Sequence, residues 1–159
     1  DHRDLHSFPT RRSSDLLDRI GYGNRDISGG IDRFWLGNTL LISAREELDF
    51  LVRLQSDELP FSKRSMRIVR DIMVQGDTFW NAPGEKPAED SLQAGSILRG
   101  KTGSNGRDGK WVLGWFVGWV EKKGAPVFFA VNISAPDGAS GKKAREISLG
   151  VLRDMGYWS

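Results

Sequence analysis

The chain has 159 residues, 38% of them hydrophobic and six of them Trp, which is enough apolar material for one core of ordinary domain size. Its 23 basic and 21 acidic residues interleave to a net charge of +2, so the high isoelectric point reflects a small excess and nucleic acid is not an expected partner. The absence of Cys excludes disulfides and thiolate metal sites, and the only two His, His2 and His6, leave none for a Ser-His-Asp or Cys-His device in the body of the chain.

Residues 1–16 carry no helical or strand period and no apolar core of a signal peptide. They resemble a translated sequencing-adaptor sequence. We read 1–16 as a non-native or disordered segment ahead of a domain portion over 17–159. Leu16 to Ile20 reads as the end of a helix, and a Gly-rich loop follows from Gly21 to Asp32. Phe34-Trp35-Leu36 is an apolar knot inside loop-like sequence.

Ser43 with Glu46 three residues on forms a capping box, and the helix it opens carries Ala44, Leu48, Leu51 and Val52 on one face. Leu59-Pro60-Phe61 breaks the chain. Ser62 caps a second helix, with Met66, Val69 and Met73 on one face, Ile72 beside them, and Arg64, Arg67 and Arg70 on the solvated side. Gln75 to Ala94 is a polar, Pro/Gly-bearing connector with room for one short strand.

From Gly95 the period changes. Ser96 to Thr102 reads as a strand, Ser104 to Gly109 as a turn, Trp111 to Glu121 as a long strand, Lys122 to Gly124 as a hairpin turn, and Pro126 to Ser134 as a third strand. Short links make these strands antiparallel. Trp111 to Val120 is the longest apolar run and falls well short of the ~20 residues of a membrane span. Its two faces are both apolar, so cover on both sides is expected, and Gly114 and Gly118 leave room for a helix. A final helix from about Lys142 to Met155 presents Ile147, Val151 and Met155 in step with Ala144. The fold class is α+β, an antiparallel sheet flanked by helices.

Gly95-Ser-Ile-Leu-Arg-Gly100-Lys101-Thr102 formally matches a phosphate loop. That loop must turn tightly and open a helix onto phosphate. Here the intervening residues prefer extension, and Gly103-Ser-Asn-Gly-Arg-Asp-Gly109 cannot start a helix. The other reading of Lys101-Thr102-Gly103 is an active-site strand. The Lys101 ammonium attracts a carboxylate, and the Thr102 hydroxyl donates to it. Gly103 lets substrate lie against the strand without a Cβ, and the Ser104 N–H is placed as an oxyanion donor. Alone, three such residues are a weak signal.

Their company is stronger. Tyr22-Gly23-Asn24, Phe34-Trp35-Leu36, Lys101-Thr102-Gly103 and Gly114-Trp115-Phe116-Val117-Gly118-Trp119-Val120-Glu121 occur in this order. Together they resemble the class D (OXA-type) serine β-lactamases and, second, the related penicillin-sensing receptor domains, over about Leu17 to Tyr157. The resemblance implies a partial β-lactamase/transpeptidase-like fold and a small-molecule β-lactam substrate. It implies no metal and no organic cofactor, because the family uses a carboxylated lysine that this chain lacks.

The resemblance also implies roles. Lys101 and Thr102 look like the strand that holds the β-lactam carboxylate, with Gly103 beneath the substrate, and the Ser104 N–H looks like the second oxyanion donor. Trp35 looks like the indole that hydrogen-bonds the carboxylated lysine; Leu36 would border that pocket, and Tyr22 and Asn24 would line the loop nearby. The family's Ser-x-x-Lys nucleophile and Ser-x-Val are expected to lie before the first residue here. Ser140-Gly-Lys-Lys143 matches Ser-x-x-Lys only by chance, in a Gly-rich turn. The family's carboxylate-binding Arg counts to Ala144, so Arg145 is favoured for that role over Lys143. The expectation is a periplasmic or secreted hydrolase represented by a fragment inactive by itself, with a sensor domain or a phosphate-loop nucleotide binder as alternatives. Substrate spectrum and oligomeric state stay open.

Overall fold

A computed structural model of the chain describes residues 7–36, 39–75, 96–122 and 125–158. The chain divides into two compact units, Asp1–Phe61 and Ser62–Ser159.

The first unit holds helices α1 (Ser7–Ile20) and α2 (Ala44–Gln55). The start of α1 lies nine residues ahead of the expected Leu16, and Pro9 sits in its first turn, where a missing N–H costs nothing. Of the segment 1–16, residues 7–16 lie within α1, and residues 1–6 lie outside the described residues. The Ser43–Glu46 capping box forms as expected: Ser43 Oγ accepts the Glu46 N–H at 3.2 Å, and Glu46 Oε2 accepts the Ser43 N–H at 2.8 Å. The buried face of α2 is Glu47, Leu51 and Leu54, with Val52 outside, so the helix is rotated from its expected setting.

The second unit holds α3 (Lys63–Ile72), strands β1 (Ser96–Arg107), β2 (Lys110–Lys122) and β3 (Ala125–Ser134), and α4 (Gly141–Asp154). The strands form an antiparallel sheet in the order β1-β2-β3, so this unit is α+β as expected. Ser62 caps α3, and Met66 and Met73 turn inward while Val69 and Ile72 stay exposed. The expected connector falls almost entirely on residues 76–95, outside the described residues, as does the Lys123–Gly124 part of the second hairpin. The expected turn over Ser104 to Gly109 is mostly strand. The real turn is Asp108-Gly109, both with positive φ, which is the two-residue connection that matches strand twist. A register shift between Asn105 and Gly106 absorbs the extra residue.

The core joins Leu98, Phe116, Val120 and Phe129 of the sheet to Ala144, Leu149 and Leu152 of α4. Here α4 differs from expectation. Ile147, Val151 and Met155 are exposed, and Gly141, Ala144, Ser148, Leu149 and Leu152 face the sheet. Small residues win these positions because the helix N-terminus lies almost on the strands. A Cβ at Gly141 would come within 2.6 Å of the Gly103 carbonyl, and one at Gly114 would collide with the Ser140 carbonyl. Gly118 does not make room for a helix: a Cβ there would meet the backbone of Arg99 on β1. On the other face of β2, Val117 and Trp119 are buried, but cover ends before Trp111, which is half exposed.

Candidate functional site

The edge strand β1 carries Lys101, Thr102, Gly103 and Ser104, and backbone alternation decides what each offers. The segment Met73–Gln75 pairs with the start of β1. Gly100 N–H donates to the Met73 carbonyl at 2.8 Å, and Gln75 N–H donates to the Leu98 carbonyl at 2.9 Å. Gln75 Nε2 adds a bond of 2.9 Å to the Gly100 carbonyl. Leu98 and Gly100 therefore turn their main-chain groups away from β2, and in an antiparallel strand so do Thr102 and Ser104. Among the described residues, the partners across this edge stop opposite Gly100. The N–H and C=O groups of Thr102 and Ser104 follow directly on the same edge.

Side chains split the other way. Thr102 pairs with Phe116 and Ser104 with Gly114 on the face that packs against α4. Lys101, opposite Val117, and Gly103, opposite Trp115, lie on the other face. The Lys101 ammonium donates to the Thr102 carbonyl, so its charge is held at the same edge. Ser104 Oγ accepts the Gly141 N–H at 2.8 Å, which commits the hydroxyl to the start of α4 and leaves the Ser104 main-chain N–H as the edge donor.

The first turns of α4 bring cations to this region. The Arg145 guanidinium carbon lies 6.0 Å from the centroid of Phe116, the cross-strand neighbour of Thr102. Lys143 instead pairs with Glu146 at 3.1 Å in solvent. The Ser140-x-x-Lys143 match is a helix cap: Ser140 Oγ accepts the Lys143 N–H at 3.2 Å. The phosphate-loop alternative fails on geometry. Strand β1 runs straight through Gly100-Lys101-Thr102, and no helix opens there.

Beneath Lys101 on its face, Arg99 is almost buried. It pairs with Glu121 at 3.2 Å and donates to the Arg70 carbonyl at 2.6 Å. Glu121 also accepts the Trp119 indole N–H at 2.9 Å. This network ties α3, β1 and β2 together under the strand that carries Lys101.

The remaining expected site residues belong to the first unit. Asn24 staples its loop: its N–H donates to the Leu41 carbonyl at 2.9 Å, its Oδ1 accepts the Leu41 N–H at 2.9 Å, and its Nδ2 donates to the Thr39 carbonyl at 2.7 Å. Gly23, with φ of 52°, permits this approach, since a Cβ would strike the Leu41 carbonyl. Trp35 stacks edge-on against Phe34 at 4.9 Å and is 56% exposed, with Leu36 also exposed beside it.

Tyr22 finds a partner that the sequence reading missed. Its hydroxyl donates to Glu47 Oε2 at 2.7 Å, and its ring meets Phe50 edge-on at 5.1 Å. Burial, reinforced by the Glu47 charge, holds the Tyr22 hydroxyl far above its usual range. Burial also raises Glu47 above the ordinary carboxylate value, against the lowering effect of the Tyr22 bond. The available signal was the i, i+4 step from Glu47 to Leu51, which places the second carboxylate of Glu46-Glu47 on the inward face. Tyr22 and Asn24 thus make defined local contacts, and any part in ligand binding is additional to them.

Residues 5–153 match the penicillin binding protein transpeptidase domain. Over 147 residues the chain is 37% identical to the probable β-lactamase YbxI of Bacillus subtilis, covering 91% of this chain and 46% of that protein. It is 33% identical over 141 residues to the methicillin resistance MecR1 protein of Staphylococcus aureus, covering 87% of this chain and 21% of that one. Among solved structures it is similar to FUS-1 (OXA-85), a class D β-lactamase from Fusobacterium nucleatum. That match has a TM-score of 0.76 and 30% identity, and covers 97% of this chain and 57% of FUS-1. The chain thus spans about half the length, or less, of the curated relatives it matches. With its edge strand, its helix-borne Arg and these homologues, the chain belongs to the penicillin-binding protein transpeptidase domain family, and its homologues there include class D β-lactamases.

Proposed function

We propose that this chain supplies the carboxylate-binding and oxyanion-binding wall of a class D-type serine β-lactamase. One observation carries the reading: among the described residues, the outer-edge main-chain partners of β1 stop at Gly100, and Lys101-Thr102-Gly103-Ser104 follows directly on that edge. Lys101 supplies the fixed positive charge for a substrate carboxylate, and Thr102 supplies a hydroxyl. Arg145, seated over Phe116 next to Thr102, is the second cation of that site; the solvent-paired Lys143 is not. The Ser104 N–H points from the edge as the donor for a developing oxyanion. Trp35 and Leu36 belong, in this reading, to the pocket of the acylating base. In this reading Ser140, a helix cap, is not the nucleophile, and no metal or organic cofactor takes part. A periplasmic or secreted location goes with the reading. Among the described residues no helix is long and apolar enough to cross a membrane.

The test is an NMR titration of the chain with benzylpenicillin, together with incubation with a fluorescent penicillin. The expected result is reversible binding that Lys101→Ala abolishes without loss of fold, and no covalent label. Absence of binding overturns the reading, and covalent labelling overturns the assignment of the nucleophile elsewhere.

The match to MecR1 favours a second reading, in which an intact protein of this kind is acylated and stays so. The lifetime of the acyl group on an intact protein containing this chain separates the two. Turnover supports the hydrolase, and a retained label supports the receptor.

A further inference from the structure

The face of β2 opposite α4 carries three indoles in graded exposure. Trp119 is fully buried, Trp115 is half-buried, and Trp111 is 50% exposed. The grading follows the edge strand. Trp119 pairs with Arg99, whose side chain and ion pairs cover that end. Trp115 pairs with Gly103, which has no side chain to lay over it. A Cβ added at Gly103 would meet Trp115 Cβ at 3.6 Å and no other described atom within 4 Å. Among the described residues the space within 4 Å of that Cβ is therefore clear except for Trp115 Cβ, which lies at its side. Lys101 stands on the same face, opposite Val117 and so diagonal to Trp115, a separation of roughly 7–8 Å.

We propose that Trp115 is a specificity-determining residue that takes the apolar or aromatic acyl side chain of a β-lactam. The inference rests on the proposed function, which fixes the ligand's direction along the strand. A carboxylate at Lys101 and a lactam carbonyl at the Ser104 N–H lay the bicyclic nucleus across Gly103. The acylamino group hangs from the carbon next to that carbonyl. It therefore leaves the nucleus beside Gly103, and we place it on the face where Trp115 is partly exposed. An indole there offers a rigid apolar face to a phenyl or thienyl group, by offset or edge-on contact. A β-lactam without an acyl side chain loses this contact and keeps the one at Lys101.

The test compares benzylpenicillin with 6-aminopenicillanic acid, which has the same nucleus and carboxylate but no acyl group. Both are titrated into the isotope-labelled chain and followed by NMR. Benzylpenicillin is expected to bind roughly tenfold more tightly, and its addition should move the Trp115 indole resonance while 6-aminopenicillanic acid does not. Trp115→Leu should bring the affinity ratio near one. Lys101→Ala should weaken both ligands together. If wild type binds neither ligand, the carboxylate-site reading itself fails. If wild type binds both equally, or the Trp115 resonance responds to both alike, the reading stands and the role of Trp115 is overturned. The wild-type resonance carries the test if Trp115→Leu does not fold. Trp111→Leu, at the exposed end of the same face, should leave the ratio unchanged.

Discussion

The Tyr22 hydroxyl bonds to Glu47 Oε2 at 2.7 Å, joining the loop after α1 to the inward face of α2. A carboxyl buried with a phenol as its hydrogen-bond donor has a definite pH signature. Burial raises the folded value of Glu47 above its ordinary 4.5, so the folded state holds this proton more tightly than the unfolded state. The stability from this group is complete below about pH 4.5 and declines until the raised folded value is passed, then stays level. Glu47→Gln keeps an acceptor for Tyr22 without the charge. It should raise the urea midpoint at pH 7 and flatten this acid-side slope, whereas Glu47→Ala should lower the midpoint. Tyr22→Phe should cost about 1–3 kcal/mol by leaving a buried acceptor unmet. A Glu47→Gln variant less stable than wild type at pH 7 would show that the carboxylate is a net asset.

The contact of α4 with β1 depends on the missing side chain at Gly141. Gly141→Ala drives a methyl toward the Gly103 carbonyl and Thr102 Cβ, and should destabilise the second unit by about 1–3 kcal/mol. Gly150 on the same helix has nothing within 4 Å of its added Cβ, so Gly150→Ala should stabilise by about 0.5–1 kcal/mol. Urea unfolding of the two variants reads opposite signs. Stabilisation by both would mean that helix propensity outweighs the close approach at Gly141.

Replacing each α4 cation separates the two carboxylate-binding assignments. Arg145→Ala should weaken benzylpenicillin binding roughly tenfold to a hundredfold, the range for hydrogen bonds to a charged group. Lys143→Ala removes only a solvent-exposed pair with Glu146 and should leave binding and stability nearly unchanged. A larger loss from Lys143→Ala, measured in the same titration, would exchange the two roles.

Exposed apolar residues set the expected heat tolerance. Ile147, Val151 and Met155 form an open stripe on α4, and Ile72 is the most exposed large apolar side chain of α3. The chain should melt below ~60 °C. A cooperative calorimetric transition above that temperature would contradict this expectation.

The sequence was most readable where local chemistry decides structure. Ser43 and Glu46 satisfy each other's backbone within one turn, so the capping box needs no tertiary partner. Alternation in Trp111 to Glu121 likewise fixed both faces of β2. Periodicity misled on α4 because two stripes repeat there. Ile147, Val151 and Met155 are the more hydrophobic, but only Gly141, Ala144 and Ser148 are small enough for the distance the strands impose. Ser104 to Gly109 looked like a turn from composition, yet β2 supplies pairing partners for most of it, leaving only Asp108-Gly109 to reverse the chain. The succession Tyr-Gly-Asn, Phe-Trp-Leu, Lys-Thr-Gly and the Gly-Trp-Phe strand carries the family resemblance. The Glu47 partner of Tyr22 was hidden because it lies 25 residues away in the chain.

Met73–Gln75, described above as the partner of Leu98 and Gly100, also acts as an end-stop. An extended group laid along β1 cannot begin before Thr102, because the earlier main-chain positions are already taken. The alternation of the strand then permits only steps of two residues, so the next position available is Ser104. In the proposed site, a ligand's register on Lys101 is therefore bounded by the backbone positions that Met73–Gln75 already occupies. Side-chain changes at the site should alter how tightly a ligand is held without sliding it along the strand, whereas shortening or displacing Val74 should let it slip.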